Sequence, residues 1–279
     1  MGSHFLLTSP PMAISGSNIT FRYGRRFGIQ RATIAASNGQ LVGLIGGNGS
    51  GKTTLLKLLC GILPPQEGSI LLDGQPLQSY TPTERARRIA WVPQSYAPAF
   101  GYTVEQLVML GRLPHRSLAI GFESQADIAA TEEAIALMDL QSLRHEPITQ
   151  LSGGELQRAL VAKSLAQGCG TLLLDEPNAH LDIARQVSVM TTLRQRATAN
   201  GLCVVASIHD LNLASTFCDS LAIMSDGRVL MQGTPQEVLR PEPLSEAFGV
   251  QVQVQPNAYG ERPAVQYRYA LPGEGGEQR

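Results

Sequence analysis

The sequence predicts an α/β fold with a parallel sheet at its centre, and three observations carry that prediction. Apolar runs of strand length alternate with segments of helical spacing along most of the 279 residues. One run, Leu41-Val42-Gly43-Leu44-Ile45, leads straight into a glycine-rich loop and then a helical segment. Another, Thr171-Leu172-Leu173-Leu174, lacks polar alternation and ends in two acids, Asp175 and Glu176. Apolar runs of this kind fit strands buried on both faces, the habit of parallel sheets covered by crossover helices.

The elements follow in order. Residues 14–34 have a strand-like pattern, alternating most clearly from Ser17 to Tyr23, and Asn38-Gly39-Gln40 is a turn. After the loop and its helix, Pro64-Pro65-Gln66-Glu67-Gly68 turns into a strand at 69–72, and Asp73-Gly74 makes a tight hairpin turn. Residues 84–88 read as helical and 89–92 as a short buried strand. The segment 103–147 then shows helical spacing and little strand signal. Thr103 caps one helix that ends at Gly111, and 124–140 forms another with Ile128, Ile135, Leu137 and Met138 on one face. This stretch predicts an inserted helical subdomain at about 95–150. Helices at 156–167, 184–199 and 211–217 then alternate with strands at 171–174 and 202–208. A final pair, 220–224 and 228–232, turns at Asp226-Gly227. The organisation expected is an N-terminal extension at 1–12, one large domain at 13–250, and a C-terminal extension at 251–279 whose Gly/Glu-rich end, 272–279, is disordered.

Composition narrows the function classes. A formal net charge of -1 argues against an electrostatic grip on nucleic acid. The four cysteines, Cys60, Cys169, Cys203 and Cys218, show no zinc spacing and mostly sit in apolar segments, so buried reduced thiols are expected. No apolar run reaches the 18 or more residues of a membrane-spanning helix, and the N-terminus shows no secretory signal pattern.

Gly46-Gly47-Asn48-Gly49-Ser50-Gly51-Lys52-Thr53 matches the phosphate-binding spacing G-x-x-x-x-G-K-[ST] at a strand-to-helix junction. There, backbone N–H groups curl around phosphate oxygens and the positive end of the helix dipole faces the anion. Lys52 is expected on the β- and γ-phosphates and the Thr53 hydroxyl on Mg²⁺, with Thr54, next in the helix, also among the nucleotide-binding residues. Asp175 and Glu176 end a central strand where such sheets bind ligands. Asp175 suits Mg²⁺, and Glu176 suits the orientation or deprotonation of an attacking water. Leu151-Ser152-Gly153-Gly154-Glu155 offers a second anion site, a hydroxyl and bare N–H groups opening a helix.

With these motifs assembled, the chain resembles the nucleotide-binding subunits of ABC transporters over roughly residues 14–250. The resemblance implies a P-loop NTPase (RecA-like) core with an antiparallel β subdomain beside the helical one. It implies that Gly46 to Thr53 is Walker A, and that Gln94 is the Q-loop residue sensing Mg²⁺ and the γ-phosphate. Ser152, Gly153, Gly154 and Glu155 match the family signature, and 172–176 matches Walker B with Glu176 as catalytic glutamate. Asp182 closes a D-loop, His209 is the switch histidine, and Tyr23 stacks on adenine. Gly47 stands where the family often has Pro, and Asn178-Ala179-His180 replaces a commoner Thr/Ser-rich start of the D-loop. The family mechanism implies ATP and Mg²⁺ as ligands. It also implies a head-to-tail homodimer in which each ATP lies between Walker A of one copy and the signature of the other.

The stretch 102–115, ending Gly111-Arg112-Leu113-Pro114-His115, and Glu246-Ala247-Phe248-Gly249-Val250 resemble the iron-siderophore, haem and cobalamin importer group. That resemblance implies a peripheral ATPase on the cytoplasmic face of a bacterial inner membrane. Its partners would be a permease dimer, docked over 94–113, and indirectly a substrate-binding protein. An iron chelate is the favoured cargo, ahead of cobalamin and then molybdate. A soluble ABC-type switch protein is the alternative from another class, and a generic P-loop kinase is a third that the signature argues against.

Overall fold

A computed structural model describes residues 12–97, 100–116, 123–257 and 260–267, with only the backbone described at Arg26 and Phe27. The expected disordered end at 272–279 and all but the last residue of the 1–12 extension lie outside these residues.

The chain opens with a long hairpin, β1 (Met12–Tyr23) and β2 (Arg26–Ser37), before β3 (Leu41–Ile45) and α1 (Lys52–Leu59). β4 (Glu67–Leu72), the two-residue β5 (Gln75–Pro76), α2 (Pro82–Ala86) and β6 (Ile89–Val92) follow. α3 (Val104–Met109) runs into a 3₁₀ stretch, Leu110–His115, and α4 (Gln125–Leu137) comes next. α5 (Gly153–Ala166), β7 (Thr171–Asp175), α6 (Ile183–Asn200), β8 (Cys203–Ser207) and α7 (Leu211–Phe217) alternate as the sequence predicts. β9 (Ser220–Ser225), β10 (Arg228–Gly233), α8 (Pro235–Val238) and α9 (Pro241–Phe248) lead to a last hairpin, β11 (Val252–Pro256) and β12 (Pro263–Tyr267).

The central sheet has the order β10-β9-β3-β8-β7-β6. Its neighbours pair in parallel except β9 and β10, which form an antiparallel edge. A second, antiparallel sheet has the order β2-β1-β4-β5. Because β3, β6, β7 and β8 run the same way, the segments leaving their C-terminal ends emerge together.

Each central strand divides its side chains between two cores. On β3, β7 and β8, Leu41, Ile45, Leu172, Leu174, Val204 and Ala206 face the core shared with α3 to α7. Val42, Leu44, Leu173, Cys203 and Val205 face the other core, with α1 and the antiparallel sheet. This period of two explains the uninterrupted apolar runs, since both faces of each strand are covered.

Two boundaries differ from the sequence prediction for identifiable reasons. α5 begins at Gly153 rather than 156 because Ser152 caps it. The helix expected up to Gly111 stops at Met109 and tightens into the 3₁₀ stretch. Gly111 there lies so close to α5 that a Cβ would stand 2.2 Å from the Lys163 carbonyl oxygen. The sequence reading assigns no element beyond residue 250, so the β11–β12 hairpin is an addition to it.

Candidate functional site

The loop between β3 and α1 folds as its glycines require. Gly46 has φ +150, and a Cβ on it would lie 2.3 Å from the carbonyl oxygen of Met224. Gly51 has φ +104 and caps α1 without any side-chain hydrogen bond, so the first turn of the helix keeps bare N–H groups. Lys52 is only 6% exposed. Its Nζ donates to the carbonyl oxygens of Gly46 at 2.8 Å and Gly47 at 3.0 Å. Among the described residues it forms no ion pair. Burial lowers its pKa, and the nearby charges of Glu176 and Asp175 oppose that shift. The Ser50 hydroxyl is also buried and has no hydrogen-bond partner. A buried cation with no direct ion pair among the described residues, an unpaired hydroxyl and bare helix N–H groups together fit a phosphate chain.

The acids ending β7 are held differently. Asp175 is 1% exposed, yet both its oxygens are satisfied. The Thr53 hydroxyl donates to Oδ2 at 2.7 Å, and the Ser207 hydroxyl donates to Oδ1 at 2.7 Å. Glu176 has φ +53, a left-handed backbone that is uncommon outside glycine and that turns the chain out of the strand. Its N–H donates to Ser207 Oγ at 2.8 Å, and Gln157 Nε2 donates to its carbonyl oxygen at 3.2 Å. The Glu176 carboxylate reaches the open side. Oε1 accepts from Gln94 Nε2 at 2.9 Å and lies 2.6 Å from His209 Nε2. Gln94 follows β6 and His209 follows β8, so three strand ends converge on one oxygen.

The predicted residues divide between two places. Tyr23, Asn48, Gly49, Gly51 and Lys52 line a single open cleft of about 640 Å³, as do Thr53, Thr54, Gln94 and Glu176. That volume falls within the usual range of small-molecule sites. Tyr23 is half exposed at its rim and packs edge-on against Phe21, with ring centroids 4.9 Å apart. Asp175 and His209 adjoin the cleft through Thr53 and Glu176, while Gly46, Gly47 and Ser50 form the inside of the loop.

Ser152, Gly153, Gly154, Glu155 and Asp182 do not line that cleft. The Ser152 N–H and hydroxyl both donate to Glu155 Oε2, at 2.8 and 2.7 Å, and the Glu155 N–H donates back to Ser152 Oγ at 3.4 Å. This completes a capping box at the start of α5. The bonds from Ser152 hold the Glu155 carboxyl below the usual carboxylate range. A Cβ on Gly154 would stand 2.9 Å from the His180 carbonyl oxygen, so the signature stretch lies against the segment before α6. Asp182 caps α6, with Oδ1 accepting from the Arg185 N–H at 2.8 Å.

Sequence reasoning missed Ser207, Gln157 and Gly28. Ser207 closes the otherwise apolar β8 and pairs in register with Asp175, a polar break that marks it. Gly28 lines the cleft opposite Tyr23, where a Cβ would lie 3.1 Å from the Tyr23 ring. Gln157 carries no local signal, because its partner is reached only by folding.

Comparisons with known proteins bear on this site. A family model described as ABC transporter matches residues 29–179. The chain is 41% identical over 217 residues to a cobalamin import ATP-binding protein, BtuD, of Halobacterium salinarum, a match covering 78% of this chain and 54% of that protein. It is 41% identical over 243 residues to a hemin import ATP-binding protein, HmuV, of Pseudomonas aeruginosa, covering 85% of this chain and 93% of that one. The chain therefore spans about half the length of the first relative and nearly all of the second. Among solved structures it resembles a metal-chelate type ABC transporter in an inward-facing conformation. The TM-score is 0.80 at 28% identity, covering 93% of this chain and 98% of that chain. With its phosphate loop, strand-end acids and signature stretch arranged as described, the chain belongs to the ABC transporter family.

Proposed function

We propose that the chain is the ATP-hydrolysing subunit of a bacterial ABC importer, and that it energises uptake of an iron chelate, siderophore or haem, through a separate permease. The convergence of Gln94 and His209 on the Glu176 carboxylate, beside the phosphate loop, carries this reading.

The geometry supports the following roles. The backbone of Gly46 to Gly51 cradles the phosphates, Lys52 neutralises charge on the transferring phosphoryl group, and Tyr23 receives the adenine ring. Glu176 accepts a proton from the attacking water as its oxygen bonds to the γ-phosphorus and the bond to the bridging oxygen breaks, releasing ADP. His209 and Gln94 fix the orientation of the carboxylate and contact the γ-phosphate. Thr53 and Asp175, whose side-chain oxygens already lie 2.7 Å apart, and Gln94 of the same cleft are the residues that would hold Mg²⁺. When bound there, Mg²⁺ supplies charge stabilisation to the β- and γ-phosphate oxygens.

Ser152, Gly153, Gly154 and Glu155 stand apart from this cleft at the start of α5, with Ser152 and Gly153 exposed, which supports a role in trans on the nucleotide of a second copy. Asp182 belongs to the same facing surface. The domain reading is one ATPase domain at 13–250 carrying a helical subdomain at about 95–150, with extensions on either side. No helix among the described residues is long and apolar enough to cross a membrane. Binding to an integral-membrane permease dimer at the inner face of the inner membrane, with a substrate-binding protein acting on the other side, completes the reading. Cobalamin is the second cargo candidate, favoured by the name of one relative at 41% identity.

The test is capture of the Glu176→Gln chain from detergent-solubilised host membranes in ATP, with bound proteins identified by mass spectrometry. A co-purifying polytopic permease is the expected outcome. Recovery of soluble proteins alone would overturn the importer reading in favour of a soluble switch. Reconstitution of the recovered permease with ferric siderophore, haem or cobalamin then separates the cargoes.

A further inference from the structure

The C-terminal hairpin is fastened to one helix, and that helix begins immediately after the His209 segment. Asn212, in the first turn of α7, exchanges two bonds with the backbone of β12. Its Nδ2 donates to the Val265 carbonyl oxygen at 3.1 Å, and the Val265 N–H donates to its Oδ1 at 2.8 Å. Ser215 Oγ donates to the Pro263 carbonyl oxygen at 2.6 Å. Arg262 closes the other end of the helix, with Nη1 donating to the carbonyl oxygens of Ser215, at 3.0 Å, and Cys218. A guanidinium at a helix C-terminus satisfies carbonyls that have no partner within the helix and complements its dipole. Val252 and Val265 are buried with the core around α7.

α7 has only seven residues, too few to hold its position by helix propensity. Its place is set by packing and by these anchors. At its other end Asp210 caps it, Oδ1 accepting from the N–H groups of Asn212 at 2.8 Å and Leu213 at 3.0 Å. Asn212 thus contacts the helix cap through its backbone and the hairpin through its side chain. One residue before the cap, His209 lies 2.6 Å from Glu176 Oε1.

We propose that the hairpin β11–β12 is a positioning element for ATP hydrolysis, in which Arg262 and Asn212 hold α7 where His209 meets Glu176. This rests on the roles given above to His209 and Glu176. The Arg262 bonds go to Ser215 and Cys218, neither of which is among the described residues lining the nucleotide cleft, so the effect falls on turnover rather than on nucleotide capture.

The experiment measures kcat and KM for ATP on the full-length chain carrying Arg262→Ala or Arg262→Lys, each in the native and the His209→Ala backgrounds. Arg262→Ala is expected to lower kcat roughly tenfold, the scale of a small misplacement of a catalytic group, with KM within about twofold. Arg262→Lys restores most of the rate, because an ammonium also donates to helix-end carbonyls. In the His209→Ala background Arg262→Ala causes no further loss, since residues acting through one group are not additive. An unchanged kcat, or an equal fractional loss in both backgrounds, would overturn the proposal. If Arg262→Ala does not accumulate as folded protein, Ser215→Ala and Asn212→Ala are read the same way, each against His209→Ala. A native chain without ATPase activity, or with activity untouched by Glu176→Gln, defeats the reading of the site itself, an outcome distinct from normal catalysis that is indifferent to Arg262.

Discussion

The cleft beside α1 and the N-terminus of α5 are both places where a helix begins with glycines, yet their chemistry is opposite. At α1 the polar groups are left wanting among the described residues: Lys52 Nζ is buried on two carbonyl oxygens, Ser50 Oγ has no hydrogen-bond partner, and Gly51 supplies no side-chain cap. At α5 the side chains are satisfied, with an exposed Ser152 and a partly buried Glu155 closed on each other. The first is an incomplete site that a ligand completes. The second is a stable surface that offers N–H groups without needing a ligand in order to fold. One chain therefore carries two unlike halves, the arrangement that the proposed site shared between two copies would use.

The most severe way to break the first half is to remove its proposed proton acceptor. Glu176→Gln keeps a side chain able to bond Gln94 and His209 but cannot take a proton. Phosphate release should fall by about 10²- to 10⁴-fold, the usual contribution of a general base. ATP binding should persist and a dimer should accumulate on a sizing column. Hydrolysis at the native rate would show that the base lies elsewhere. Lys52→Ala comes next. Loss of a buried charge-assisted contact should weaken ATP binding about 10- to 100-fold in calorimetry. Equal affinity would mean that the buried lysine serves only the loop.

Ser152→Ala separates the halves. Because Ser152 lies outside the cleft of its own chain, ATP affinity of the monomer should stay within about twofold. Hydrolysis should drop at least tenfold or so, the scale of losing a donor from a preorganised anion site. Loss of the cap should also cost about 1 kcal/mol of stability, seen as a lower Tm. A matching loss of monomer affinity would place Ser152 in the same half as Lys52 and undo the comparison.

Much of the first half was legible because its signals are local. A phosphate loop needs glycines, a lysine and a threonine at fixed spacing between a strand and a helix, and all are contiguous from Gly46 to Thr53. Ser152 and the two glycines were legible as the opening of a helix, but the sequence pattern starts that helix at 156, and the reciprocal bond with Glu155 came only with the fold. The bond between Thr53 and Asp175 joins residues 122 apart in the chain, so the metal pair emerged only as two separate expectations. Ser207 depends on the register of β7 with β8, which no window of the sequence encodes. The strand order β10-β9-β3-β8-β7-β6 is equally non-local. The alternation Val252-Gln253-Val254-Gln255 was in plain view, but its value as a strand depended on Asn212 and Ser215 being beside it.

The smallest expected effect concerns how the second half is anchored. α5 presents Ser152 at one end, and at the other Arg112 Nη1 donates to the Ala166 and Gln167 carbonyl oxygens at 2.8 and 3.3 Å. Arg112 also pairs through Nε with Asp127 Oδ1 at 2.8 Å, tying the start of α4 to the end of α5. The bond from Arg112, followed by those from Ser124, holds the Asp127 carboxyl at about 2 against an ordinary 3.8. A carboxyl whose pKa is lowered on folding adds stability that is fully present above its unfolded value and is lost as pH falls through its folded one. The contribution should therefore be constant above about pH 5 and disappear between about pH 4 and 2. Asp127→Asn should unfold more readily than the native chain in urea at neutral pH, and the two curves should converge across that acid window. Curves that stay parallel down to about pH 2 would show that the pair contributes no proton-linked stability. The far end of α5 would then be held by the Arg112 bonds to its last carbonyls, with His115 at the Gln167 carbonyl oxygen and the Gln167 side chain on Ile89.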